Sequence, residues 1–229
     1  MKKILCIVLS AMILMSALCF VSCESEPELM DTINGMSAKD AVKTAMENLK
    51  NTEKYSMDVD AELFLIGLSI GKVNDFYTNT KYGDDMHYKF TDSDLGFINN
   101  EQIFSLFSNF DKEVWYVNGT RFSITADGEE RIDANNNVRP TDVASMIIDT
   151  ISEAELNTAQ AYSKDDEQYV LMTINVEEYN IGVVTCKIYL NSSNRFTNII
   201  LDGNLYGLGA TVTINFKYTS YKVSLPKKI

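Results

Sequence analysis

Apolar and polar residues alternate with a changing period along this chain, and each change marks a new element. Ser37 to Asp40 begins a helix, with Ser37 as its N-cap. The apolar residues that follow recur at the spacing of one helix face: Ala41, Val42, Ala45, Met46 and Leu49. From Tyr55 to Leu65 every second residue is apolar, which predicts a long strand with one buried face. The helix is therefore expected to pack on a sheet.

Further strands follow, separated by short turns. Residues 73–80 and 86–90 are predicted as the next two strands. Asn118-Gly119 lies between two more short strands and is the strongest short-range signal for a β-hairpin. Residues 103–110 fit either a strand or a short helix, whereas residues 127–139 are charged and rich in asparagine, which predicts a loop.

A second helix is predicted to begin at Pro140-Thr141. Its apolar face would carry Val143, Met146, Ile147 and Ile151. Four strands follow, at 168–176, 181–190, 195–206 and 210–225, with a bulge near Ser220 where the last one changes parity. Short turns favour antiparallel pairing. We therefore predict an α+β fold, in which a long, curved antiparallel half-barrel sheet has its concave face covered by two helices.

The N-terminal residues 1–23 form a segment of a different kind. Lys2 and Lys3 precede an uncharged apolar run over residues 4–21, which ends at Ser22-Cys23 and is followed by acidic residues. This is the arrangement of an export signal. A transmembrane helix is an alternative, because the run reaches the lower limit of roughly 17–25 residues needed to span a bilayer. Lysines on the first flank only, and the break at Ser22-Cys23, favour export, either as a lipoprotein or by plain secretion.

Phe20-Val21-Ser22-Cys23 resembles the lipobox of bacterial lipoproteins, with Phe20 where leucine is usual. In that family the cysteine sulfur receives a diacylglycerol and becomes the first residue of the mature chain, so the resemblance implies lipidation of Cys23. Two acyl chains suffice for stable anchoring. We predict a signal peptide over residues 1–22, a lipidated tether over 23–36 and one β-rich domain over 37–229, held on the extracytoplasmic face of the cell membrane.

Charge excludes one class of partner. The 229 residues include 20 basic and 32 acidic side chains. Removal of residues 1–22 takes away two basic and no acidic residues, which leaves a net charge of −14. Such an acidic surface repels phosphate backbones, so nucleic acid is not an expected partner. The acidity also keeps the domain away from anionic lipid headgroups, except where the anchor holds it.

The cysteines predict a domain without an internal disulfide. Cys6 and Cys19 leave with the signal peptide and Cys23 is the predicted lipid carrier, so Cys186 remains alone. Cys186 alternates in phase with its apolar neighbours in the strand predicted at 181–190. We therefore predict that it is a small buried hydrophobic residue and not a reactive thiol.

The order helix, meander, helix, meander behind a lipobox resembles the LolA/LolB-like superfamily. This superfamily includes the LppX- and LprG-type lipid-carrier lipoproteins, and the likeness is greatest to its uncharacterised Gram-positive branch. The likeness is carried by the helix 41–49 with the strand 55–65, by the hairpin 115–119 and by the ending 216–226. In that superfamily an open half-barrel wraps helices and encloses an apolar cavity for acyl chains. The resemblance thus implies a non-catalytic, membrane-anchored binder of a lipid or other apolar ligand.

The interior of such a sheet is either open or filled. A curved sheet covered by two short helices leaves space that a ligand can occupy, but 11 Phe, 12 Tyr and 10 Met supply enough bulk to fill it. A filled core would make the domain an interaction module for another envelope protein. If a pocket forms, its predicted lining consists of Met46, Leu49, Val59, Leu63, Met146 and Ile147, each of which also fits a place in the core.

The sequence shows no catalytic motif. His87 is the one histidine and is predicted to be a solvated strand residue. Residues 92–96 hint at a calcium loop, but the glycine comes early and the closing glutamate is missing, so a turn is predicted. Trp115 is interpreted as a packing anchor. We predict no enzyme, cofactor or metal; a glycoside hydrolase acting through two carboxylates is the remaining enzymatic alternative.

Overall fold

The computed structural model describes residues 26–91, 111–125, 127–134, 151–176, 182–205, 208–218 and 222–226, together with 140, 142, 144, 148 and 149. The strands are β1 (Glu28–Met30), β2 (Lys54–Leu65), β3 (Leu68–Tyr82), β4 (Asp85–Phe90), β5 (Glu113–Val117), β6 (Thr120–Ile124), β7 (Glu130–Ala134), β8 (Gln160–Lys164), β9 (Glu167–Val176), β10 (Gly182–Leu190), β11 (Phe196–Leu205) and β12 (Leu208–Lys217). Two helices lie with both ends within this part of the chain, α1 (Ala38–Lys50) and α2 (Glu153–Leu156).

The twelve strands form one antiparallel sheet in the order β1-β8-β9-β10-β11-β12-β2-β3-β4-β5-β6-β7. Two meanders meet where β12 pairs with β2, with Ile214 opposite Val59. The sheet is open, and β1 and β7 are its edges. The predicted antiparallel α+β arrangement is confirmed at this level, because all neighbouring strands in the described part of the chain pair antiparallel.

One face of the sheet is apolar, and we call it the inner face. On β2 it carries Tyr55, Met57 and Val59, which are buried. The register continues this face across the sheet, since Ile214 lies opposite Ile199 and Ile199 opposite Ile188. These residues belong to one core cluster. The two-residue period of β2 thus corresponds to a strand buried on one side, as predicted.

The outer face of the same strands is polar. Asn198 Nδ2 donates to Asn215 Oδ1 at 2.6 Å, and Asn215 Nδ2 donates to Asp58 Oδ2 at 2.8 Å. Lys217 Nζ reaches Asp58 Oδ1 at 2.9 Å. This ladder of side-chain hydrogen bonds runs across three strands, so the outer face of this part of the sheet is held by polar contacts while the inner face packs.

Helix α1 begins as the sequence predicted. Ser37 Oγ accepts a hydrogen bond from the backbone N–H of Asp40 at 3.2 Å, which caps the helix. The predicted stripe faces the core, where Ala41, Val42 and Leu49 are buried. α1 contacts β8. Packing of an amphipathic helix on the apolar side of a sheet explains why a 13-residue helix is stable here.

The second predicted helix lies only partly within the described residues. Ala144, Ile148 and Asp149 are helical, and the first two are buried; Val143, Met146 and Ile147 lie outside the described part. The structure adds α2, which the sequence analysis missed although Ser152 and Glu155 form a capping box. α2 contacts β9, beside the position of α1. The covering of the concave face by two helices stays a prediction.

Three strands were not predicted. β1 lies in the segment predicted as a tether, β7 lies in the predicted loop 127–139, and β8 lies between two predicted elements. β7 has the sequence Glu-Arg-Ile-Asp-Ala; charged residues protect a sheet edge from pairing, but they also make the segment resemble a loop. β12 ends at Lys217, and residues 222–226 are not a strand, which corrects the prediction over 210–225. The predictions for 92–96, 103–110 and Ser220 fall outside the described residues.

Candidate functional site

The candidate site is the part of the inner face that the core does not cover completely. It consists of five aliphatic side chains on β2, β9, β11 and β12 that are only half-buried, and we call it the upper inner face: Ala61, Ile174, Leu201, Ala210 and Val212. Leu201 lies opposite Val212 and Val212 opposite Ala61. Ala210 lies two residues before Val212 on β12, and Ile174 on β9 is opposite Val184, with β10 between it and β11. The buried core therefore grades into an accessible aliphatic surface towards the β2–β3 turn.

Small residues keep this surface shallow. Ala210 lies between Leu63 on β2 and Gly203 on β11. A Cβ atom at Gly203 would lie 3.1 Å from Val184 Cγ2, which is closer than ordinary contact. Glycine at 203 therefore allows Val184 to pack against the neighbouring backbone, and the surface above it stays free of a bulky side chain.

The predicted lining residues fall into two groups. Leu49, Val59 and Leu63 are buried, with 3%, 8% and 3% of their surface exposed, and Met46 is half-buried against the same core. Val59 and Leu63 flank Ala61 on the inner face of β2, so they adjoin the upper inner face. Met146 and Ile147 lie outside the described residues. The role of all six as ligand contacts stays a prediction.

A buried polar cluster lies on the inner face of β3. Asp142 Oδ1 accepts hydrogen bonds from the Tyr55 hydroxyl at 2.5 Å and from Asn79 Nδ2 at 3.5 Å, and Lys81 Nζ lies 3.7 Å from Asp142 Oδ2. Burial raises the pKa of the neighbouring Tyr77 well above 10.0, and the negative charge of Asp142 raises it further. Tyr77 is therefore a neutral phenol. Sequence reasoning missed this cluster because 87 residues separate Tyr55 from Asp142.

On the outer face, His87 is more enclosed than predicted. Its ring stacks on the Trp115 indole, with centroids 4.6 Å apart, and its Nε2 lies 3.0 Å from Glu113 Oε1. Burial lowers the pKa of His87, and the hydrogen bond to Glu113 opposes that shift. Residues 222–224 lie beside this pair and help to form a pocket of about 270 Å³ that Thr80 also lines. Trp115 also contacts Phe122, so it packs as predicted.

Within the described residues, no group of three or more His, Cys, Asp or Glu side chains is placed to hold a metal ion. In that same part of the chain, no helix is both long and apolar enough to cross a bilayer.

Comparison with known proteins identifies no family. No model of a known protein family matches the sequence, and no curated protein matches it. Among solved structures, the chain is similar to the Mycobacterium tuberculosis lipoprotein LppX, with a TM-score of 0.40 and 8% identity over 82% of this chain and 98% of that one. It is also similar to a DUF1329 family protein from Desulfovibrio piger, with a TM-score of 0.27 and 11% identity over 82% and 95% of the two chains. Both likenesses are distant, and neither assigns a function to this chain.

Proposed function

We propose that this chain is a membrane-anchored, extracytoplasmic lipoprotein that binds a lipid or other apolar ligand on its inner face and catalyses no reaction. The observation that carries the proposal is the upper inner face. Its five aliphatic side chains share the apolar side of four strands, three of them in one row across β11, β12 and β2, yet they are only half-buried. A ligand that covers them removes apolar surface from water, which is favourable by roughly 25 cal/mol per Å².

The chemistry of this face favours an apolar ligand. The inner positions of β2 and β12 in this region are aliphatic, whereas the acidic residues Asp58 and Glu62 belong to the opposite face of β2. An acyl chain lying along the surface would gain roughly 0.8 kcal/mol for each methylene that it buries. Micromolar binding, about −8.2 kcal/mol, then takes roughly ten buried methylenes and no charged contact, which is within the length of a fatty acyl chain.

The anchor is supported by the sequence of residues 1–23. Glu26, the first residue that the structure describes, lies three positions after Cys23. A lipid on Cys23 would therefore hold the folded domain close to the bilayer from which it takes its ligand. With a net charge of −14 after processing, the domain needs such an anchor to stay near anionic lipids.

Ligand binding is tested with the mature protein purified from the cell envelope. Native mass spectrometry reads co-purified lipid, and titration with a fluorescent fatty acid reads uptake. Ile174→Asp places a charge on the upper inner face, whereas Thr173→Asp places the same charge on the opposite face of the same strand, where Thr173 is exposed. We expect Ile174→Asp to weaken uptake at least about tenfold and Thr173→Asp to leave it unchanged. A wild-type protein that carries no lipid and takes up no fatty acid would contradict the proposal.

A second function is an interaction module for an envelope protein. The dense packing of Leu49, Val59 and Leu63 favours it, because a filled core leaves little room for a ligand deeper than the upper inner face. In that case the native mass would be that of the apoprotein, and Ile174→Asp would weaken binding to the partner and not to fatty acid.

A further inference from the structure

The hairpin between β2 and β3 ends in an exposed apolar turn, formed by Leu65, Ile66, Gly67 and Leu68, which we call the tip. The exposed fractions of its three large side chains are 48%, 94% and 73%. A single exposed aliphatic residue is ordinary, but three around one turn form a contiguous patch. Leu63, two residues before the tip, is part of the inner face beside Ala210, so the tip lies at the rim of the upper inner face.

The backbone conformation at position 66 does not favour isoleucine, so the turn itself does not explain this side chain. Ile66 and Gly67 have φ of 51° and 76°, and Asn118 and Gly119 repeat this turn with 51° and 77°. Asn34-Gly35 repeats it again. Asparagine tolerates this left-handed conformation, whereas a β-branched residue rarely adopts it. Isoleucine thus occupies a position where the same chain twice uses asparagine, and it is almost fully exposed there.

The sequence segments that form the tip and the neighbouring β11–β12 turn lack charge. Residues 63–71 contain no charged side chain, and neither do residues 203–215, which include the start of the neighbouring strand β12. In a chain with 23% charged residues this is the composition that a hydrocarbon phase requires. A protein interface, by contrast, has a polar rim and buries about 800 Å² on each partner, far more than one turn offers.

We propose that the tip inserts its aliphatic side chains into a lipid bilayer and thereby brings the upper inner face to the lipid surface. This inference rests on the proposed function, because it gives the lipid-binding face a route to its ligand. Three aliphatic side chains bind a bilayer weakly and reversibly, much as a single acyl chain does. Such a contact is effective only beside a second one, which the predicted lipid on Cys23 provides.

The tip and the predicted lipid on Cys23 together determine the orientation of the domain on the membrane. The chain enters β1 at Glu28, which pairs with Ser163 next to the β8–β9 turn, at the end of the sheet away from the tip. β2 has 12 residues and is about 40 Å long. A domain that touches the bilayer at both ends therefore lies along the membrane and does not stand on its anchor.

The experiment uses the mature lipidated protein in vesicles of phosphatidylcholine with a minority of phosphatidylglycerol. Ile66→Cys is labelled with a polarity-sensitive fluorophore, and Asn118→Cys is the control. Position 118 is exposed in the same turn type, at the end of the sheet away from the tip and beside the edge opposite to β1, where the anchored chain enters. Cys186 is buried and Cys23 would be acylated, so the label is confined to the new cysteine. We expect a blue shift and quenching by brominated lipid at position 66 and neither at position 118.

Each result decides the proposal. Unshifted, unquenched emission at position 66 would overturn it and leave the tip as a protein contact, and quenching at position 118 alone would show a domain that stands on its anchor. In Ile66→Asn, we expect exchange of a fluorescent fatty acid between protein and vesicles to slow about tenfold, with binding in solution unchanged. If the protein bound no fatty acid but the label at position 66 were still quenched, the proposed function would be refuted and the insertion of the tip would stand.

Discussion

The Tyr55 hydroxyl donates a hydrogen bond of 2.5 Å to Asp142 Oδ1. The backbone N–H of Ala144 reaches the same oxygen at 3.2 Å, as an N-cap contact does. One carboxylate thus joins the inner face of β2 to the segment that buries Ala144 and Ile148. β2 and the segment around Ala144 and Ile148 are therefore connected through a polar contact as well as through packing in one core cluster.

Asp142→Ala should lower the free energy of unfolding by about 2–4 kcal/mol, because it leaves several buried donors without their acceptor. Urea denaturation of the mature protein measures the loss. Asp149→Ala is the matched control: Asp149 is paired with Lys50 at 2.7 Å, but the two side chains are 60% and 49% exposed. Its loss should stay within about 0.5 kcal/mol. Equal losses in the two variants would show that the Asp142 contacts contribute no more than a surface pair.

Ile66→Asn should stabilise the protein by about 1 kcal/mol, because asparagine relieves the left-handed backbone strain at φ 51°. Thermal unfolding measures the change. The reverse substitution, Asn118→Ile, should destabilise the equivalent turn by a similar amount. A loss of stability in Ile66→Asn would mean that Ile66 makes a packing contact in the folded protein.

Stability should fall as the pH drops below about 6.5, the ordinary pKa of histidine. Burial lowers the pKa of His87 in the folded protein, so the unfolded chain takes up the proton first and unfolding is favoured between the two pKa values. The slope is at most about 1.4 kcal/mol for each pH unit. His87 is the one histidine, so His87→Gln should remove this component as the pH falls below about 6.5. An unchanged pH profile in His87→Gln would contradict the assignment.

The Cys186 thiol should be unreactive in the native protein. It is 1% exposed, and burial raises its pKa to about 12. A thiol reagent at mildly alkaline pH should therefore modify Cys186 only after urea unfolds the chain. Cys186→Ala should cost about 1 kcal/mol, and Cys186→Ser should cost more, because its hydroxyl would be buried among apolar side chains. Rapid modification of the native protein would refute the buried-hydrophobe prediction.

Cys23→Ala should abolish membrane anchoring, since no other residue of the lipobox offers a sulfur. Cell fractionation and metabolic labelling with a fatty acid measure the effect. Cys19→Ala is the matched control, because Cys19 lies inside the apolar run and not at the predicted cleavage point. A Cys23→Ala protein that keeps its normal size and stays on the membrane would contradict the lipoprotein prediction.

Local signals made much of the fold predictable. Ser37 caps α1 as expected, and the alternation from Tyr55 to Leu65 marks β2 within one residue. Elements whose composition opposes their structure were missed: charged β7 resembles a loop, and the Ile66-Gly67 turn lacks the asparagine of its two equivalents. Register between distant strands is not a local property, so no period in the sequence predicts that β12 pairs with β2.

The candidate site was predictable only in part. Val59 and Leu63 follow from the period of β2, and both adjoin the upper inner face. Leu201 and Val212 share that face through pairing between strands, which depends on the fold as a whole. The exposure of Ile66 is also a tertiary property, since an apolar residue beside a turn is usually assigned to the core.

β1 connects the predicted anchor to the sheet through three residue pairs with β8. A pull on the N-terminus directed away from the sheet edge would separate these pairs one at a time, because β1 is an edge strand. Ile33 comes next and is buried, with 2% of its surface exposed, so it would arrest the peeling. With a lipid on Cys23, separation of β1 from β8 would lengthen the connection to the membrane by roughly 10 Å under tension without disturbing the rest of the sheet.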